Sequence, residues 1–582
     1  MKKVIAILLL VMAGMLSVNL AVAQEAPSGT LLGTWPYVLP PDHHLNSFAS
    51  QGLNDNLGVL YRPMVELTPA YFLWDSGEYE GFLAESWGFT DDGTAFWFKL
   101  KDGLLWSNGD SITADDVITT YAIGRVLNWS QFTYISDVEK VDDLTVRFVF
   151  KGEPSRLAER LILKESIVAR ANYGELAEKA LAVVASGATR DDDAWKNVVA
   201  EINSFRPTEL IASGPYTYSL SDVGDAFMTL RWQPNSIFSG SVKFGEIKIW
   251  AGETEVTAPL VLSGELAHST NVYPPATIDS FVNAGIRITE SPRGYGPALL
   301  FQHDTYPFNI KEVRQAMAHA INREQSAFLT NGIGATGTIY MSGILDSMAP
   351  SILPADVLDE LNRYEYDLER AAELMEQAGF TRNASGKWVD GEGKTISVEY
   401  TFPADFADFS AAAQDATQQL NDFGFDIALR ALPWQEAAAA IRAGDFQLSV
   451  WSWGSGSPFA TTQFFGPTRR FNYVALANEQ RGMNFPMEFE WRGEQIDLNA
   501  LILNVSTGLD VEAQKERAGF VARIINDVLP FIPLNEMKSV EPINEALIAG
   551  VPEDGDPIFT NPSGDHYMIY LVLKGVVSPA GN

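Results

Sequence analysis

Cysteine is absent from this 582-residue chain. That excludes disulfides, thiolate metal sites, cysteine nucleophiles and a lipid-modified cysteine anchor. Histidine is scarce, with six residues at positions 43, 44, 268, 303, 319 and 566. Only His43 and His44 are adjacent, and sequence neighbours share a metal only where a loop bends both inward. The pair reads as solvated loop, and neither a metal nor a cofactor is expected. Basic residues are outnumbered 41 to 74, for a net charge of -33. Such a surface repels phosphate backbones and anionic headgroups, so no nucleic-acid partner is expected. The acid is spread along the chain and forms no tail, which fits a solvated surface.

Enzyme signatures are also missing. There is no Walker loop, no HExxH and no GxSxG elbow. Residues 332–337 read GIGATG and match GxGxxG. A helical pattern precedes them and an extended segment is expected at 338–341, the reverse of the strand-then-helix order that a dinucleotide site needs. With 74 acidic residues, a pair of carboxylates in the sequence carries no signal for glycoside cleavage. No catalytic residue is expected; an exported glycoside hydrolase is the competing class.

What is present belongs to a folded, exported protein. The chain is 46% hydrophobic and 20% charged, enough apolar content for a packed core, and its length suits two or three domains. Met1-Lys2-Lys3 gives a basic start, residues 4–22 are almost wholly apolar, and Ala21-Val22-Ala23 precedes Gln24. This is the order of a secretory signal cleaved after Ala23. Retention as a single anchor helix is the alternative. No later run is long and apolar enough to span a bilayer. The 14 Trp, 33 Phe and 19 Tyr serve either a large core or stacking platforms for a ligand.

Local signals place the elements. Residues 96–100 (FWFKL) read as a strand between the turns Asp91-Asp92-Gly93 and Lys101-Asp102-Gly103. Thr113 with Asp116 makes a capping box that opens a helix. Residues 144–150 alternate like a half-buried strand. Val313, Ala316, Met317, Ala320 and Ile321 share one helical face, as do Leu368, Ala371, Leu374, Met375 and Ala378, with Asp367 as the cap and Gly379 as the stop. From residue 396 the pattern runs strand (396–402), helix (411–420), strand (426–432), helix (436–441), strand (446–451). That order implies a parallel sheet with right-handed crossovers. Ligands sit beyond the carboxyl ends of such strands, where this chain has Pro403, Pro433-Trp434 and the run Ser452-Trp453-Gly454-Ser455-Gly456-Ser457. Core packing is the competing reading of Trp434.

Several of these runs carry a resemblance. Leu83-Ala84-Glu85-Ser86-Trp87, Asp91-Asp92-Gly93, residues 98–103, Trp106-Ser107-Asn108-Gly109 and residues 113–117 match in order and spacing the signature of the family 5 extracellular solute-binding proteins. Ser213-Gly214-Pro215-Tyr216, Ser263-Gly264-Glu265-Leu266, Val313-Arg314-Gln315-Ala316 with residues 320–323, residues 366–380 and residues 528–534 resemble later segments of that family. His268 stands near a position where the family usually has an acid.

The resemblance implies an α/β, periplasmic-binding-protein-like two-lobe fold with an extra domain inserted in the first lobe. Residues 1–23 would be the signal. The first lobe would take 27–60, 211–295 and 540–582, the inserted domain 61–210, and the second lobe 296–539. It also implies hinge closure on a small ligand, an ABC permease as partner, a location outside the cytoplasmic membrane, and a monomer. A sensory or scaffolding module of the same build is a further reading.

Peptide-binding members of the family carry an aspartate in the turn after the strand corresponding to residues 446–451, where it meets the ligand amine. Here that turn is acid-free, and a buried ammonium without a counter-charge costs several kcal/mol. Another carboxylate could still reach in. The expected ligand is therefore a short oligosaccharide, with peptides as the alternative and nickel last. Sugars pack apolar C–H faces on aromatic rings and satisfy hydroxyls with amides or carboxylates. The candidate contacts are Trp35, Tyr37, Asn54 and Asn56 in the N-terminal segment, and Trp434, Trp453, Ser455 and Gln463 in the second lobe.

Overall fold

The computed structural model describes residues 25–35 and 43–581. The expected signal and Tyr37 lie outside the described residues. Among those described, no helix is long and apolar enough to cross a membrane.

The first lobe is built on a four-stranded sheet in the order Thr30–Thr34, Glu246–Trp250, Phe227–Trp232, Tyr216–Thr217. Its first two strands are parallel and the rest antiparallel. The chain leaves this sheet through the helix Leu53–Val65 and returns only at residue 216.

The excursion forms a second four-stranded antiparallel sheet, Ala84–Phe89, Ala95–Leu100, Thr145–Phe150 and Ile135–Lys140. Phe96, Phe98 and Leu100 alternate into its core, as the period of a half-buried strand requires. The helix Ala114–Val126 covers the sheet. The backbone N–H of Thr113 donates to Asp116 Oδ2 at 2.8 Å, one arm of the expected capping box.

The second lobe carries a five-stranded sheet in the order Asp426–Leu432, Ser397–Pro403, Leu448–Trp453, Gly296–Phe301, Phe531–Pro533. The three strands of the alternating segment are parallel, as expected. Gly296–Phe301 then runs antiparallel to Leu448–Trp453, so the complete sheet is mixed. All six residues of GPALLF are buried, because this inner strand is covered on both faces. The helices Lys311–Ala320 and Leu368–Gln377 lie against each other in this lobe. Asp367 Oδ1 caps the second by accepting from the N–H groups of Glu369 and Arg370 at 3.0 and 2.9 Å.

Two strands join the lobes. Arg287–Pro292 leads into the second lobe, and Asn535–Ile543 returns antiparallel beside it. The two largest hydrophobic clusters are drawn from residues 298–534 and from residues 31–267 with 543–577.

Three local expectations need correction. The strand expected at 446–451 runs on to Trp453, which pairs with Gly296. The extended segment beyond the GIGATG run is Ala335–Gly337, inside the motif rather than after it; it follows the helix Arg323–Asn331 and a single 3-10 turn. His44 is buried rather than solvated: its ring accepts from the Asn46 N–H and meets the Ser50 carbonyl.

Candidate functional site

A cavity of about 690 Å³ opens between the lobes. All three parts of the chain reach it. The first lobe supplies Trp35 and Glu253, the crossing segments Arg293, Tyr295 and Ser539, and the inserted domain Arg160 and Lys164. The second lobe supplies Phe406, Asp408, Phe409, Trp451, Arg470 and the Gly/Ser turn.

The turn owes its shape to close backbone packing. Gly454 has φ +79°, and a Cβ there would stand 2.6 Å from Leu345 Cδ2. Gly294, at φ +81°, would place a Cβ 2.6 Å from the Cα of Gly456. Only glycine lets the turn lie against the crossing segment this closely.

The predicted site residues divide. Trp35 and Ser455 line the cavity. Trp35 packs against Gly58, where a Cβ would collide with the indole nitrogen at 1.5 Å. Gln463 stands behind the turn, nearly fully buried, and its Nε2 donates to the carbonyls of Ser455 and Ser457, both at 2.6 Å. It shapes the site without facing it. Asn54 is exposed and accepts from Arg62 Nη1 at 3.4 Å. Asn56 is buried, with Nδ2 3.5 Å from the Tyr218 hydroxyl. Trp434 is half-exposed and stacks on Phe406 at 6.0 Å, one layer behind the cavity wall.

Trp453 is no stacking platform. It is wholly buried, and its indole N–H donates to the Asn535 carbonyl at 3.0 Å. Because the strand continues through it, its ring is pinned where the returning strand leaves the second lobe. The tryptophan of this strand that lines the cavity is Trp451.

The acid missing from the turn is supplied elsewhere. Glu253 of the first lobe and Asp408 of the second both line the cavity. Burial pushes the Glu253 carboxyl up to about 7, and the Asp408 charge adds to the push. Burial likewise raises Asp408, which Arg293 partly offsets. The Arg293 charge acts through space to lower both carboxyls, and its Nε donates to the Tyr295 hydroxyl at 2.6 Å. Asp408 lies five residues past Pro403, in the first turn of the helix Ala407–Phe423. Reading one turn beyond the strand end would have found it; nothing local in the sequence marks Glu253.

A histidine cluster sits beside this wall. His268 Nε2 and His566 Nε2 approach Glu541 Oε2 and Oε1 at 2.8 and 3.1 Å, and the Tyr567 hydroxyl donates to Oε2 at 2.6 Å. The three ligand-type side chains are close enough to hold a cation. The ring of His566 argues against it: its Nδ1 accepts the Met568 backbone N–H at 3.1 Å. In a neutral ring the proton is then on Nε2, which donates to Glu541 and has no lone pair for a metal. Burial would raise Glu541, but the two imidazoles hold it well below the usual carboxylate range. The cluster fixes the returning strand to the first lobe.

Two lobes joined by paired crossing strands, with a lined cavity between them, define a hinged solute-binding protein. The chain belongs to the bacterial extracellular solute-binding proteins, family 5, whose sequence model (family 5 Middle) matches residues 78–471. The fold is similar to a periplasmic oligopeptide-binding protein of an oligopeptide ABC transporter from Thermotoga maritima, with TM-score 0.75 and 20% identity, covering 94% of this chain and 99% of that one. A mannohexaose-bound structure of that protein aligns with TM-score 0.72 and 19% identity over 96% and 100% of the two chains. In sequence, the chain is 22% identical to a probable ABC transporter-binding protein of Deinococcus radiodurans and spans 64% of that protein's length, as it does of its own. It is 24% identical to di/tripeptide-binding protein 1 of Pseudomonas aeruginosa over 65% of this chain and 68% of that one.

The geometry of Trp453 has a measurable consequence. Trp453→Phe leaves the Asn535 carbonyl without its indole donor and should lower unfolding free energy by about 1–3 kcal/mol. Ligand affinity should stay unchanged. Urea unfolding and calorimetry of the same variant read the two effects separately.

Proposed function

We propose that this protein is the substrate-binding component of an ABC importer and captures a short peptide between its lobes outside the cytoplasmic membrane. The observation that supports the reading is the pair of carboxylates, Glu253 and Asp408, contributed by opposite lobes to one cavity and each influenced through space by Arg293. A ligand ammonium placed beside these two acids gains their charge as the lobes close. The division into 27–60 with 211–295 and 540–582, 61–210, and 296–539 is part of this proposal, supported by the way the strands sort into sheets. Export by the N-terminal segment and docking to a permease belong to it as well. The peptide-binding names of relatives agree with it.

A short oligosaccharide is the second reading. The rings of Trp35, Tyr295, Phe406 and Trp451 around the cavity favour it, as does the mannohexaose held by a protein of the same fold.

Proton linkage separates the two. An ammonium binds the ionised carboxylates, and Glu253 takes up its proton near pH 7 in the free protein. Trialanine affinity should therefore fall by up to about tenfold per pH unit below pH 7. Above pH 7 it should hold until the peptide amine itself deprotonates near pH 8. Mannotriose affinity should be flat over the same range. Calorimetric titration of the signal-free chain with both probes between pH 5.5 and 8 decides: saturable mannotriose binding with no heat from trialanine overturns the peptide reading.

A further inference from the structure

The same cavity has a basic corner that the acid pair does not use. It is formed where the inserted domain meets the C-terminal segment. Arg160, on the helix Arg156–Leu163, and Lys164, at its end, both line the cavity together with Ser563 and Gly564. Among the described residues one carboxylate, Asp565, serves both cations: Arg160 Nη2 pairs with Oδ2, and Lys164 Nζ meets Oδ1 at 2.6 Å.

The Arg160 side chain is 5% exposed and packs over the rings of Phe72 and Trp74 at 5.0 and 5.6 Å. Trp74 Nε1 donates to Asp565 Oδ2 at 2.8 Å, which spends one more acceptor of that carboxylate. Lys164 is different. Its side chain is 38% exposed, and among the described residues its ammonium meets two acceptors, Asp565 and the Gly564 carbonyl. A third N–H remains for the cavity. The corner thus carries two cations against one anion, with the surplus charge on a group that reaches the ligand space.

We infer that Lys164, backed by Arg160 and oriented by Asp565, is a subsite for an anionic group of the ligand, a carboxylate in the first instance. The ligand is then bipolar, with a cationic end at Glu253 and Asp408 and an anionic end at Lys164. Enclosure lowers the Lys164 ammonium from its usual range; the Asp565 carboxylate offsets part of this and the Arg160 charge adds to it. The inference rests on the reading of this cavity as the ligand site.

Two probe pairs test it on the signal-free chain by calorimetry: trialanine against trialanine amide, and digalacturonate against its dimethyl ester. The wild type should bind the carboxylate-bearing member of a pair about tenfold or more tightly than the capped one. Lys164→Gln should remove that preference without changing affinity for the capped member, and Lys164→Arg should restore most of it. Thermal unfolding of both variants checks that the fold persists. If both peptides are ignored while digalacturonate binds through Lys164, the peptide reading falls and the subsite stands. Equal affinity for carboxylate-bearing and capped members, including no binding of any of the four, overturns the subsite. So does a Lys164→Gln variant that keeps the preference.

Discussion

Replacing Asp408 by Asn and Glu253 by Gln should together weaken trialanine binding by about a hundredfold, roughly 2.7 kcal/mol. Both changes keep the shape of the side chain and remove its charge. Each single variant should cost less than about tenfold. The pair will not be additive, because the Asp408 charge raises Glu253 and each carboxylate ionises more readily when the other is neutral. Glu253→Gln should also abolish the fall in affinity below pH 7, since the group that takes up the proton is gone. Mannotriose affinity, where present, should change little. A double variant that binds trialanine as the wild type does would remove the acid pair from the site.

The second large effect concerns stability. Asp565→Asn should lower unfolding free energy by about 3–5 kcal/mol, read by urea unfolding at pH 7, because it leaves the buried Arg160 guanidinium without its counter-charge. Asp565 is 4% exposed at its side chain, so water cannot compensate. Burial alone would push its carboxyl up, yet Lys164 and Arg160 bring it down to about 2. A carboxylate depressed on folding contributes stability that is full above its unfolded value near 4 and is lost as pH falls through the folded value. The gap between wild type and variant should therefore be constant from pH 5 to 8 and close between about pH 4 and 2. A gap independent of pH across that window would mean that packing, not charge, holds this corner together.

Glu253 and Asp408 show how far the sequence reading reached into the cavity. The turn at residues 452–458 is acid-free, and the expectation of a neutral guest rested on it. Asp408 lies within one helical turn of a strand end that the periodicity had already located, so its position was legible. Its role was not, because that depends on Glu253, 155 residues earlier, facing the same space. Lys164 and Asp565 are 401 residues apart and meet at 2.6 Å.

Trp453 shows the opposite failure. A tryptophan flanked by serine and glycine looks like an exposed platform. The strand continued two residues beyond the expected end, and the returning strand passed close enough to accept its N–H. Gly296 permits that approach, since a Cβ there would stand 1.9 Å from the Asn535 carbonyl oxygen. The described residues expected in the N-terminal segment, Trp35, Asn54 and Asn56, fared unevenly for a related reason. Trp35 is on the wall and Asn54 is exposed, a difference set by the direction each takes from the backbone rather than by residue type.

By itself the sequence determined the class of fold, the run of strands and helices in the second lobe, the caps at Thr113 and Asp367, and membership of the solute-binding family. Those depend on contacts within one or two turns or on strings of neighbouring residues, and periodicity and capping chemistry are local. Tertiary structure decided which aromatic rings are buried, which carboxylates meet across the cavity, and where surplus positive charge is left. Those follow from how two crossing strands bring lobes built from distant segments together, because Coulomb interaction and desolvation act through space and take no account of separation along the chain.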